Sequence, residues 1–142
     1  MVNGRQKGAG FERRIGNMLM DELGIKFYRN LEQYRTKDLG DLICDVDFPF
    51  IIECKIRGKG TTYSMDWWDQ VTTATIGTDK LPVLIYQLNR SPIRCVVDLN
   101  VILQVFEGNI VHHQNLVELT FPTFCMIARE MLQDLNSNNQ NE

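Results

Sequence analysis

The sequence has no long apolar segment, and this absence argues against a membrane-spanning chain. No apolar run reaches the about 20 residues that a transmembrane helix needs. Residues 1–7 are polar and basic, without the apolar core of a secretory signal peptide. We therefore expect a cytoplasmic protein with no membrane partner.

Cysteine and histidine are also scarce. The four cysteines are Cys44, Cys54, Cys95 and Cys125, and the two histidines are His112 and His113. None of these residues has the spacing of a zinc site, and most of the cysteines lie in apolar stretches. The sequence therefore predicts reduced thiols in an apolar core and a histidine pair on an edge strand without a ligand role.

The chain shows neither an internal repeat nor a stretch with the composition of a domain linker. Its 142 residues, of which 44% are hydrophobic, suit one domain with its own core. Residues 136–142 are polar and rich in asparagine. We predict a single domain over 1–135 and a flexible polar tail over 136–142.

The hydrophobic pattern predicts an α/β fold in which a mixed sheet is flanked by helices. The predicted helices span 9–23, 65–76 and 121–135. The predicted strands span 25–28, 39–46, 50–56, 81–88 and 93–97, with short edge strands at 109–113 and 116–119. The pattern over 101–106 fits either a helix or a strand.

Two charged residues interrupt the apolar strand predicted at 50–56. Glu53 and Lys55 lie two residues apart, so they share one face of the strand with Ile51. Opposite charges on one face of an apolar strand are expected at a functional site. A cross-strand ion pair on an exposed face is the alternative interpretation.

Asp41 supplies a second acid near this strand, because it begins the preceding strand of the predicted hairpin. Converging carboxylates bind a divalent cation through hard oxygen ligands, and the backbone carbonyl of Cys54 can add another. Lys55 can hold the attacking water or the phosphate. Because clustered acids repel one another without a cation, the pattern predicts a metal-dependent phosphodiesterase site.

Three further acids bear on this site. Asp38 and Asp45 are rivals for the role of Asp41, which is preferred because it starts the strand at a suitable distance from Glu53. Glu12 lies at the edge of the buried stripe of the first helix, from which it could reach the edge of the sheet. The alternative for Glu12 is a solvent-exposed acid that pairs with a neighbouring basic residue.

The net charge of −3 does not favour a nucleic-acid-binding protein, but the basic residues are clustered. They lie near the N-terminus and around the Glu53 strand. The candidates for DNA contacts are Arg5, Lys7, Arg13, Arg14, Arg35, Lys37, Arg57 and Lys59. A solvated surface of mixed charge is the alternative. Trp67 and Trp68 are adjacent on a predicted helix, so one should be buried while the other could stack on DNA or fill a dimer interface.

Three segments in this order resemble the PD-(D/E)XK nuclease superfamily. They are GAGFERR at 8–14, GDL at 40–42 and IECK at 52–55. Within the superfamily, the chain is most similar to the archaeal-type Holliday junction resolvases and their phage-encoded relatives, over residues 8–98. One departure is that glycine, and not proline, precedes Asp41.

The resemblance implies a restriction-endonuclease-like mixed central β-sheet flanked by α-helices. It implies catalytic roles for Glu12, Asp41, Glu53 and Lys55, and for Gln70 as the glutamine of a later helix that faces the site. The implied metal ligands are Asp41, Glu53, the carbonyl of Cys54 and Glu12. The implied cofactor is Mg²⁺, with Mn²⁺ as a substitute.

The resemblance also implies a homodimer that cleaves four-way or branched DNA, in the host cytoplasm if a phage encodes it. One alternative is a nuclease of the same fold that acts on duplex or single-stranded DNA. Another is a non-catalytic DNA-binding module, against which the intact Glu53 and Lys55 argue.

Overall fold

The computed structural model describes residues 4–31, 39–102 and 115–140. Its elements are α1 (Gly4–Leu23), β1 (Tyr28–Arg29), β2 (Leu42–Ile43), β3 (Phe50–Arg57), α2 (Met65–Thr75), β4 (Leu81–Leu88), β5 (Arg94–Asp98), α3 (Leu99–Ile102), β6 (Leu116–Thr120) and α4 (Phe121–Gln140). The histidine pair and the strand predicted at 109–113 lie outside the described residues, as does most of the segment 101–106. Within the described ranges, no helix is long and apolar enough to cross a membrane.

Within the described residues, six strands form one mixed sheet in the order β1-β2-β3-β4-β5-β6. β3 and β4 are parallel, and the other neighbouring strands are antiparallel. The parallel pair requires a crossover, which α2 provides between the two strands. The predicted α/β class, with a restriction-endonuclease-like mixed sheet and flanking helices, is confirmed.

Two core clusters cover the two faces of the sheet. On the first, here called the α1/α4 face, Phe11, Ile15 and Leu19 form the buried stripe of α1. The helical spacing of these residues points them to one side, where they pack with α4 and with alternate residues of β3. On the second, the α2 face, Trp68 and Val71 pack against β3 and β4.

Several element boundaries differ from the predicted ones. α1 begins at Gly4 and α4 ends at Gln140, so residues 136–140 of the predicted flexible tail are helical. These added turns are polar and almost entirely exposed, and no apolar stripe marks them in the sequence. The strands predicted at 25–28 and 39–46 shorten to Tyr28–Arg29 and Leu42–Ile43. The domain limits remain a prediction.

Candidate active site

Strand β3 carries the two charges that sequence reasoning singled out. Its alternate residues Phe50, Ile52 and Cys54 lie in the core of the α1/α4 face. Ile51 lies in the core of the α2 face, and Glu53 follows it on the same side with only 5% of its surface exposed. Lys55, next on this side, is half-buried. The carboxyl group of Glu53 is therefore largely removed from water.

Asp41 is held beside β3 by backbone geometry. Gly40 has φ of 75°, and a Cβ atom there would lie 2.5 Å from the carbonyl oxygen of Ile52, so the close approach of the chains requires glycine. The Asp41 N–H donates to that Ile52 oxygen at 2.8 Å, and the buried Asn30 side chain donates to the Gly40 carbonyl at 2.9 Å. These contacts fix Asp41, which is buried, at the edge of β3.

The backbone of Cys54 lies on the same side of β3 as Asp41. Its N–H donates to Asp41 Oδ2 at 2.8 Å. In a strand, the N–H and carbonyl of one residue point to the same side, so the Cys54 carbonyl also faces the side on which Asp41 lies. Its thiol lies in the core of the α1/α4 face, where burial raises its pKa well above the usual range. The thiol is therefore packed as core, as predicted, while the carbonyl is placed as a possible ligand.

The electrostatics of Glu53 are those of an acid without enough positive charge around it. Burial, and after it the neighbouring carboxyl groups of Asp41 and Glu12, raise its pKa to about 8, while Lys55 opposes the change. A side-chain hydrogen bond with Asp41 acts on the pKa of Glu53 in the same direction as burial. At neutral pH, the metal-free site therefore favours a protonated Glu53.

Glu12 approaches the same edge from α1 and has a basic partner. Arg29 Nε donates to Glu12 Oε2 at 2.7 Å. Burial raises the pKa of Glu12, and the charge of Asp41 acts in the same direction, whereas the hydrogen bond from Arg29 lowers it. Glu12 is thus within electrostatic range of the pair while its carboxylate is engaged by Arg29.

The donor set fits a cation that takes few protein ligands. Among the described residues, no three acid, histidine or cysteine side chains form a ready cage for a metal ion. Asp41 and Glu53 nevertheless lie together with the Cys54 carbonyl at one edge. Mg²⁺ is commonly bound by one or two carboxylates and keeps several waters, so these residues suit it. Its charge would replace the proton of Glu53 and relieve the repulsion between the acids.

The other predicted site residues are less closely associated. Gln70 is exposed on α2, because the buried side of α2 is that of Trp68 and Val71, and its side chain forms no hydrogen bond with the described residues. Asp45 is exposed, whereas Asp38 lies outside the described residues. The structure thus brings Asp41, and not Asp45, to Glu53.

The predicted DNA-contacting residues that the structure describes are all exposed: Arg5, Lys7, Arg13, Arg14, Arg57 and Lys59. The Lys7 ammonium lies over Gly58, so the start of α1 meets the end of β3. Arg35 and Lys37 lie outside the described part of the chain. The basic groups of α1 and β3 therefore lie on neighbouring parts of the surface.

Sequence reasoning missed two residues that hold the site. Arg29 binds Glu12, and Asn30 supports the loop that carries Asp41. Both follow a short apolar stretch as ordinary polar residues, and only their three-dimensional contacts mark them. A polar pair directly after a predicted strand was the one available signal.

A mixed sheet in which an acid is held beside a Glu-X-Lys strand is the arrangement of the PD-(D/E)XK nucleases. The family model described as "Phage putative PDDEXK endonuclease" matches residues 3–141. The chain belongs to this phage endonuclease family.

The fold is also similar to a solved structure. This is Hjc of Archaeoglobus fulgidus, a Holliday junction resolvase from an archaeal hyperthermophile. The TM-score is 0.52 at 16% identity, and the match covers 80% of this chain and 94% of Hjc. No curated protein matches the sequence. The structural similarity supports the fold.

Proposed function

We propose that this protein is a metal-dependent, structure-selective DNA endonuclease that cleaves branched DNA, most like a Holliday junction resolvase. The observation that carries this proposal is the buried Asp41–Glu53 pair, which lies beside Lys55 in a chain of an endonuclease family. The resolvase activity of Hjc, whose fold is similar, favours branched DNA as the substrate.

Each site residue has a role in this proposal. Asp41, Glu53 and the carbonyl of Cys54 would hold Mg²⁺, or Mn²⁺ in its place, with Glu12 as an auxiliary ligand. When bound, the cation would supply positive charge that stabilises the transition state of phosphodiester hydrolysis. The Lys55 ammonium donates a hydrogen bond to the attacking water or to the phosphate. Water attacks in line, and the products carry 5′-phosphate and 3′-hydroxyl groups.

Gln70 is proposed as a supporting residue that engages the site only when DNA is bound. It is exposed in the free protein, so it needs a side-chain movement for this role. Such changes of side-chain rotamer are common when partners bind.

The proposed partners are DNA and a second copy of the chain. The exposed basic side chains of α1 and of the end of β3 contact the DNA backbone, whose phosphates are negatively charged. A homodimer would present two such sites to strands of opposite polarity across a junction. We propose that one nuclease domain over 1–135 carries each site and that the protein acts in the host cytoplasm.

Cleavage of three substrates tests the proposal: a four-way junction, a linear duplex and a single strand, each with Mg²⁺ and with Ca²⁺. We expect the junction to be cut preferentially in Mg²⁺, and neither Glu53→Gln nor Lys55→Ala to cut it. Equal cutting of all three substrates would overturn the junction preference and favour a general DNA nuclease. Junction binding without any cleavage, unchanged in Lys55→Ala, would instead indicate a non-catalytic DNA-binding module.

A further inference from the structure

Arg57 continues the line of charged residues on β3. Glu53, Lys55 and Arg57 occupy alternate positions, so all three point to the α2 face. Successive members are about 6.7 Å apart along the strand, which is two residues of extended chain. This distance is comparable with the spacing of successive phosphates in a nucleic-acid strand. If the cleaved DNA strand runs along β3, a phosphate at the Glu53–Lys55 site places a neighbouring phosphate close to Arg57.

An aromatic ring fixes the position of Arg57. Its guanidinium carbon lies 4.6 Å from the centroid of the half-buried Trp67 ring. The Trp67 ring in turn packs on Tyr86, with centroids 6.2 Å apart. Tyr86 is 5% exposed, lies beside Lys55 in the register of β3 and β4, and donates its hydroxyl to Glu118. The buried Tyr86 side chain, which lies on β4 beside β3, therefore supports the Trp67 ring.

This stacking leaves the hydrogen-bonding edge of Arg57 available. Its side chain is exposed, and no carboxylate of the described residues lies within salt-bridge distance of it. A ring contacts the flat face of a guanidinium and does not use the N–H donors, which match a phosphate in a bidentate arrangement. Arg14 offers a contrast, because it stacks on Phe11 at 5.1 Å but also donates to the Gln87 side chain.

We propose that Arg57 binds the phosphate next to the scissile phosphate on the cleaved strand, and that Trp67 is the positioning residue that holds Arg57 for this contact. The inference rests on the proposed nuclease function and deepens it, because it assigns the Arg57–Trp67 pair to one defined phosphate of the substrate. Lys55 and Arg57 would then contact two successive phosphates, and Trp67 would limit the side-chain entropy that Arg57 loses when it binds its phosphate.

The test replaces single phosphates of the DNA with neutral methylphosphonates on either side of the mapped cut. In the wild type, one of the two replacements should lower kcat/KM by about ten- to a hundredfold, the range for losing a charge-assisted hydrogen bond. Arg57→Gln should lose about as much on unmodified DNA and lose little more on that modified substrate. Losses that multiply in full would overturn the proposal.

Trp67 is tested by the same substrates. Trp67→Leu should show part of the Arg57→Gln defect and add nothing in the Arg57→Gln background, whereas Trp67→Phe should restore most of the activity. The matched control is Arg129→Gln, which removes a cation of α4 that is paired with Glu22 of α1, and it should behave like the wild type on every substrate. If Trp67→Leu does not fold, Trp67→Phe and Arg57→Gln decide the outcome.

The failure of this inference is distinguishable from the failure of the proposed function. If the wild type cleaves no DNA in Mg²⁺ or Mn²⁺, both are overturned. If it cleaves DNA and Arg57→Gln responds to both methylphosphonates as the wild type does, the nuclease function stands and the Arg57 contact is wrong.

Discussion

The two faces of β3 are built from alternate residues of one short segment, yet they differ in chemistry. Cys54, on the α1/α4 face, is 8% exposed, and Glu53, on the α2 face, is 5% exposed. Burial is therefore nearly equal on the two faces. On one face it removes an apolar side chain from water and stabilises the fold. On the other it removes a carboxyl group from water and, together with the neighbouring carboxyl groups, raises its pKa to about 8.

The difference shows how one strand can serve the core and the site together. The apolar face anchors β3 between α1 and α4, so the acid opposite is held in a fixed position. Glu53 is in turn a place where local stability is given up for chemistry, as is common at functional sites. Mutations on the two faces should therefore separate stability from activity.

The largest expected effect is that of Glu53→Gln on activity. We expect cleavage to fall by about a thousandfold or more, because a metal-binding carboxylate is lost while its shape is kept. The fold should persist, since glutamine resembles the protonated acid that the metal-free site favours. Cleavage assays and thermal unfolding measure the two effects. Retained cleavage would show that the charged face is not catalytic.

On the apolar face, Ile52→Ala should mainly lower stability. Ile52 is fully buried, so truncation should reduce the free energy of unfolding by about 2–5 kcal/mol. Its carbonyl still accepts the Asp41 N–H, so the folded variant should keep its activity within a few fold. Urea denaturation and cleavage below the melting temperature test this. A large loss of activity with unchanged stability would contradict the separation of the two faces.

The stability of the metal-free protein should depend on pH through Glu53. Its pKa is 4.5 in the unfolded reference and about 8 in the folded protein, so only the folded state holds this proton between these values. The contribution is fully present below pH 4.5 and is lost as the pH rises through about 8, with a slope of at most about 1.4 kcal/mol per pH unit. Unfolding in EDTA across this range should give a steeper decline for the wild type than for Glu53→Gln, and parallel curves would contradict it.

The smallest effect is expected from Arg29→Gln, which frees Glu12 without touching β3. Loss of the 2.7 Å hydrogen bond should raise the pKa of Glu12 further and lower cleavage by about tenfold, as for other residues that orient a ligand. Lys26→Gln is the control, because Lys26 stacks on Tyr28 nearby. Adding Arg29→Gln to Glu12→Gln should change little. A full further loss would assign Arg29 a role of its own.

The fold class and the Glu53 strand were predictable because strand periodicity is a local signal. Asp41 was predictable as a candidate. Why Asp41 and not Asp45 lies beside Glu53 is explained only by contacts between separate segments, namely the close approach of Gly40 to β3 and the hydrogen bond from the Cys54 N–H. The pairing of Arg29 with Glu12 was not predictable for the same reason. The long ends of α1 and α4 were missed because polar, exposed helical turns carry no apolar stripe.

Magnesium binding to the wild type and to Glu53→Gln tests the central claim most directly, namely that the buried Asp41–Glu53 pair is a cation site. Isothermal titration calorimetry at pH 7.5, with junction cleavage measured in parallel, compares the two proteins. We predict that the wild type binds Mg²⁺, releases protons on binding and cleaves the junction, while the folded Glu53→Gln protein does none of these. Equal Mg²⁺ affinity of the two proteins, with equal cleavage, would contradict the claim.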